Sequence, residues 1–178
     1  MQGACSARLS IQHRPIQVII MFTVSKLKKS RDIDKQVVDS IHNVLSVYEM
    51  TPDGKWLMQL DWRGMKFKWC DAMADSDVLG AYSMFSKGTL YLQPPCIYDC
   101  TNCTESFKTS VELAWVASVM SIVVHELRHA YQHKKLGWAY CLLQIVGIRE
   151  LTLERDANKA EKSADEFMNR YQQLHNTN

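Results

Sequence analysis

From Ser110 to Leu136 the chain runs without a Pro or Gly, and Gly137 then closes the run. Val111, Leu113, Trp115, Val116, Val119, Met120, Ile122, Val123 and Val124 crowd its first half, with Ala114 and Ala117 between them. This composition predicts one long helix over residues 110–137, with Gly137 as its C-cap. A helix apolar on nearly all sides is expected to lie in a core. The stretch from Leu113 to Val124 falls short of the roughly 18 apolar residues that span a bilayer, and histidine and charged residues follow it at once. Any fold of this chain has to be built around that helix.

The apolar stretch ends in His125-Glu126-Leu127-Arg128-His129. Residues four apart on a helix lie one above the other, so His125 and His129 can point two imidazole nitrogens at one Zn2+. Glu126 leans over the same site from the adjacent position, where it can take a proton from an attacking water. Buried imidazoles and a buried carboxylate are costly unless paired or metal-bound. The competing reading is two helical histidines satisfied by carboxylates or surface water.

A catalytic zinc site commonly has three protein ligands. His133 continues the row, but eight residues of helix rise about 12 Å, whereas zinc–nitrogen bonds are about 2 Å. His133 therefore reads as an exposed helix-end histidine near the negative end of the dipole. A carboxylate on the following helix fits better. Residues 149–173 have helix composition, and Leu153, Ala157, Ala160, Ala164, Phe167, Met168 and Tyr171 mark an inward stripe. Glu154 sits at the edge of that stripe, and Ala157 is small enough for close helix approach. Glu150 and Glu161 share the Glu154 face and stay open as alternatives; each can also be a solvated helix charge.

With these residues in place, the chain resembles a zincin-like metallopeptidase of the gluzincin type. Such proteins carry H-E-x-x-H on one helix and a glutamate ligand on a later one, often in a Glu-x-x-Ala-Asp-like context. That context occurs twice, at Glu154-Arg155-Asp156-Ala157-Asn158 and at Glu161-Lys162-Ser163-Ala164-Asp165. The first is nearer and departs only at Asn158. The second matches letter by letter but lies farther from His129. The wording from His125 through Ala130-Tyr131-Gln132 is also similar to small metallopeptidases of bacteria and their phages. The resemblance spans residues 79–171.

It implies an α+β, minimal zincin-like fold: a small twisted sheet packed on an active-site helix, followed by a C-terminal helix carrying the third ligand. It implies a zinc metallopeptidase, with Zn2+ held by His125, His129 and Glu154, Glu126 as general base, and a peptide or protein as substrate. A carboxylate behind each imidazole is expected, and Asp156, Glu150 and Glu161 are candidates. An oxyanion donor is also needed; Arg128, Tyr131 and His133 are near in sequence, and none is assigned. The rival class is a non-catalytic structural protein, of a virion or scaffold, keeping such a metal site for stability. A general base at Glu126 favours the enzyme.

The rest of the chain fills in around this helix pair. Residues 1–15 read as an irregular N-terminal extension and 16–178 as a single domain, with 47% hydrophobic residues and five Trp to build its core. Residues 16–24 read as a strand, although they follow Arg14 faintly in the manner of a signal segment; Met21 is a possible start. Residues 33–48 read as an amphipathic helix, 51–54 as a turn, and 56–62 as a strand with 66–69 as its partner. Residues 80–93 read as a hairpin with Ser86-Lys87-Gly88 in its turn. An edge strand there can hold an extended peptide by backbone pairing. The order β-α-β-β-β-β-α-α is α+β.

A net charge of +2 points to no particular partner. Lys26, Lys28, Lys29 and Arg31 read as a solvated loop, so neither nucleic acid nor a membrane span is expected. The expected location is the cytoplasm, or the host cytoplasm or virion for a phage product. Cys96, Cys100 and Cys103 share a C-x3-C-x2-C spacing. The chain cannot build the large barrel of radical iron–sulfur enzymes, which leaves a structural zinc with Cys70 or Cys141, a disulfide, or plain thiols. Cys5 and Cys141 otherwise look incidental.

Overall fold

The structure is a computed structural model that describes residues 30–74, 76–83, 88–95, 103–145 and 149–176. Among these residues it is α+β, with a mixed sheet of four short strands and four α-helices. The chain enters as β1 (Ser30–Asp32) and turns into α1 (Lys35–Glu49). The Asp34 carboxylate caps α1 by accepting the Gln36 backbone N–H at 2.8 Å. Val37, Ile41, Leu45 and Tyr48 recur at helical spacing and are buried.

Residues 56–62 do not form the expected strand. They form two 3-10 turns, Lys55–Gln59 and Trp62–Gly64. The cause lies just upstream. The Gly54 N–H bonds the Thr51 carbonyl, and the Leu57 N–H bonds the Gly54 carbonyl at 2.9 Å, so the backbone is already winding helically when it reaches Trp56. Leu57 and Leu60 stand three apart, a spacing that a 3-10 turn brings onto one edge. Leu57 is buried and Leu60 packs against the core. Alternation of apolar residues alone could not tell this from a strand.

The partner expected for that strand, β2 (Lys66–Cys70), pairs instead with β1, antiparallel, and with β4 (Thr89–Leu92), parallel. β3 (Gly80–Ser83) pairs antiparallel with β4, Gly80 opposite Leu92 and Ser83 opposite Thr89. This is the expected hairpin; its turn at 84–87 lies outside the described residues, as do the strand expected at 16–24 and the boundary between residues 15 and 16. Among the described residues the strand order is β1-β2-β4-β3, which leaves β3 on an edge.

Side chains alternate across the sheet. Phe67, Trp69, Leu90 and Leu92 face the helices and join the main core; Cys70, Ala81, Tyr91 and the nearby Met73 form a smaller cluster. α2 (Glu105–Leu136) is the long helix, capped at its start by Thr104, whose hydroxyl accepts the Phe107 N–H. At its end stands Gly137, with φ +56°. Enclosure is tightest from Val119 to Ala130, whereas Phe107, Ala114 and Ala117 reach solvent, so the helix is nearly enclosed only over the stretch that carries His125 and His129. A short helix that the sequence did not announce, α3 (Trp138–Ile145), follows, and then α4 (Arg149–Asn176). Ala157, Ala160 and Ala164 are buried along α4, and these small residues let it lie close along α2.

The edge strand is pressed onto α2 at Gly80. A Cβ there would stand 2.8 Å from Ile122 Cγ2 and 3.1 Å from Glu126 Cγ. Ile122 is stiff at χ1 and cannot swing aside freely. Gly80→Ala is therefore expected to destabilise the fold by about 1–3 kcal/mol, read from the denaturant midpoint; a neutral result would mean that strand and helix are less closely apposed.

Candidate metal centre

Two turns of α2 and one residue of α4 bring three donor atoms together. His125 and His129 lie four apart and are 3% and 2% exposed. Their Nε2 atoms are 3.1 Å apart. From α4, Glu154 places Oε2 3.4 Å from His125 Nε2 and Oε1 3.3 Å from His129 Nε2. Ala157 keeps α4 close enough for this reach: it is fully buried, three residues beyond Glu154.

The outer nitrogens of both rings are fixed. His125 Nδ1 lies 2.8 Å from Glu161 Oε2. His129 Nδ1 lies 2.9 Å from Gln132 Oε1. The Gln132 amide donates through Nε2 to the Leu153 carbonyl and to Asp156 Oδ2, both at 2.9 Å. That leaves its oxygen to accept, so His129 Nδ1 carries the proton. Asp156 in turn receives a two-pronged Arg128 guanidinium at 2.7 and 2.9 Å. Burial works to raise the Asp156 carboxyl, but the Arg128 and Gln132 hydrogen bonds and the guanidinium charge outweigh it and hold the group below its usual range.

A carboxylate behind His125 likewise requires a proton on its Nδ1. Both neutral imidazoles then turn Nε2 lone pairs toward each other and toward the Glu154 carboxylate. Such a trio needs a cation at its centre, either a proton or a metal. Without a metal, a proton takes that place. Burial alone would depress His125, but its hydrogen bonds to Glu154 and Glu161 and the nearby Glu126 charge outweigh burial and push it up to about 10.

Two imidazole nitrogens and a carboxylate oxygen are zinc's usual donors. Ligands about 2 Å from a tetrahedral ion lie ~3.3 Å from one another. Here the two Nε2 atoms stand 3.1 Å apart, Glu154 meets each ring with a different oxygen at 3.4 and 3.3 Å, and one donor atom from each residue lies within 4.8 Å of the others, close enough for a single ion to draw together. A metal must displace the His125 proton to bind. Zinc affinity is therefore expected to rise about tenfold per pH unit between about pH 6 and 8, because the metal-free site stays protonated up to about 10. Chelator competition across that range measures it; a flat profile would mean that no proton is displaced.

The structure thus brings together His125, His129 and Glu154, as the sequence expected. Glu161 stands behind His125 and is not a member of the trio. The Glu150 side chain lies outside the described residues. Asp156 reaches His129 only through Gln132, a residue that sequence reasoning passed over; its signal was the spacing of three from His129 on the same helix. Glu126 is 3% exposed, and its Oε2 accepts the Tyr82 backbone N–H of the edge strand at 2.7 Å. No sequence signal foretold that contact.

None of the three oxyanion candidates joins the trio. Arg128 is committed to Asp156. Tyr131 donates to Gln59 at 3.2 Å. His133 shares a 2.9 Å hydrogen bond between its Nδ1 and the Tyr82 hydroxyl; burial pushes the Tyr82 phenol up, which keeps it protonated. Among the cysteines, Cys103 is disulfide-bonded, while Cys70 and Cys141 are thiols. Cys103 is thus no thiolate ligand, and Cys5, Cys96 and Cys100 lie outside the described residues. Comparison with known proteins finds no relative: no protein family, curated protein or solved structure matches the chain.

Proposed function

We propose that the protein is a zinc-dependent metallopeptidase with a minimal zincin-like arrangement of the gluzincin type. The observation that carries this reading is the convergence of one donor atom each from His125, His129 and Glu154 within 4.8 Å, with the buried Glu126 carboxylate one residue from the first of them. His125 and His129 hold the ion from α2, and Glu154 holds it from α4. Bound there, zinc would supply acidity to a water and polarisation to a scissile carbonyl. Glu161, and Gln132 with Asp156, fix the two rings so that each presents Nε2. Glu126 takes the water's proton and passes it to the leaving amine. An extended peptide pairing with the outer edge of β3 takes the Tyr82 N–H for itself, and Glu126 is released to act as the base.

Glu126→Gln tests the reading. The amide oxygen can still accept the Tyr82 N–H, so fold and zinc content should persist. Hydrolysis of an unstructured protein such as casein should fall by at least about a hundredfold, the usual lower range for losing a general base. Wild-type protein that holds zinc and hydrolyses no peptide, in casein or in a mixed peptide pool, would contradict it.

Two observations favour a second reading, a metal site that serves stability alone. The histidines and Glu126 are at most 3% exposed. Glu126 also has a structural task, holding the edge strand through Tyr82, so its presence no longer argues for catalysis by itself. Under this reading zinc removal lowers the melting temperature and Glu126→Gln changes no reaction rate.

A further inference from the structure

The trio of His125, His129 and Glu154 lies in a seam between unlike walls. Successive residues of a helix turn by about 100°. Arg128 and Gln132 therefore fall on one side of the His125–His129 row, and Ile122, Glu126 and His133 fall on the other. The first side meets α4, through the Arg128–Asp156 pair and the Gln132 bond to the Leu153 carbonyl. The second meets β3: Gly80 packs on Ile122 and Glu126, and Tyr82 bonds to Glu126 and to His133. The α4 wall is fixed by its buried alanines and carries Glu154 itself. The β3 wall is four residues long and lies on an edge of the sheet. Short edge elements open locally at lower cost than core helices do.

The register shows what β3 offers on its outer side. The Leu79 carbonyl accepts the Gln93 N–H at 2.9 Å, and Gly80 stands opposite Leu92. Bonded and non-bonded pairs alternate along an antiparallel ladder, so Gly80 and Tyr82 turn their backbone groups away from β4, to the open edge. The Glu126 carboxylate sits on that edge and takes the Tyr82 N–H at 2.7 Å. It fills the place where the carbonyl of an added strand would bond. Edge and carboxylate thus mask one another. The Tyr82 phenol makes a second tie, 2.9 Å from His133 Nδ1 and about two turns farther along α2. Behind these ties His125, Glu126 and His129 are at most 3% exposed, so a reagent from solution reaches the trio only when a wall moves.

We propose that β3 is a cover over the trio, latched by Tyr82 at Glu126 and at His133, and that its release opens the trio and frees Glu126 in one movement. This deepens the metallopeptidase reading and rests on it for what opening serves: a peptide entering the seam would find edge and base unmasked together.

The test uses the full chain without added metal and reads no activity, so its failure is distinct from a failure to bind zinc or to cleave peptides. Tyr82→Phe removes the tie to His133. Hydrogen exchange of the backbone amides of residues 80–83 should become about fivefold faster, the worth of one hydrogen bond, while residues 66–70 of β2 keep their rate. Labelling of His125 and His129 by diethyl pyrocarbonate, read by mass spectrometry, should rise by the same factor of about five, because both report the open fraction. His133→Phe removes the tie from the other side, keeps a ring against Tyr140, and should act alike. Tyr131→Phe, which deletes a phenol bond to Gln59, should leave both readouts unchanged. Three results would overturn the proposal: unchanged exchange in β3, equal acceleration of β2 and β3, or faster exchange in β3 with the histidines labelled no faster.

Discussion

Glu154→Ala is expected to weaken zinc binding roughly a thousandfold, since a structural zinc site contributes about 10–16 kcal/mol shared among its few ligands. Glu154 is the only one of the three donors that comes from α4, and it touches both imidazoles, at 3.3 and 3.4 Å. Without it two lone-pair nitrogens remain on one helix, an incomplete set. Glu161→Ala offers the contrast. Glu161 contacts only the outer nitrogen of His125, and loss of such a supporting partner costs about 10–100-fold in affinity. Competition titration against a zinc chelator ranks the two. A larger loss with Glu161→Ala would reverse the roles assigned to these carboxylates.

Gly54→Ala is expected to destabilise the fold by about 3 kcal/mol or more. A Cβ at this position would lie 1.9 Å from the Tyr48 carbonyl oxygen and 2.6 Å from its carbon. Those are backbone atoms at the end of α1, so no rotamer change relieves the overlap. The same carbonyl already accepts the Thr51 hydroxyl at 2.7 Å and the Thr51 N–H at 2.9 Å. Any shift of residue 54 therefore breaks the turn that seats Leu57 in the core. Urea unfolding followed by circular dichroism measures the loss; a change below about 1 kcal/mol would mean that the turn yields far more easily than its geometry allows. The effect on the His125, His129 and Glu154 cluster should be small, because Gly54 lies in neither α2 nor α4.

The sequence was most legible where one element sufficed. The long helix, its Gly137 end and the His125–His129 spacing all follow from the local pattern of apolar and breaking residues. Glu154 was within reach because α4 carries an apolar stripe that sets which way its glutamates turn. The same stripe could not separate Glu154 from Glu161, since both lie on one face. Only the depth at which α4 crosses α2 assigns one to the trio and the other to the back of His125. The 3-10 turns at residues 55–64 were hidden because an alternating apolar pattern fits a strand as well. The Tyr82–Glu126 bond was hidden because a backbone N–H has no letter in the sequence. The parallel pairing of β2 with β4 depends on contacts about twenty residues apart, for which no turn signal exists.

Zinc content of the freshly purified protein, by elemental analysis, decides whether His125, His129 and Glu154 hold a metal. About one zinc per chain is expected, absent from His129→Ala protein that still folds by circular dichroism. A wild-type chain that takes up no zinc even when zinc is added in excess would contradict it. The His125, His129 and Glu154 cluster would then be held by a proton alone.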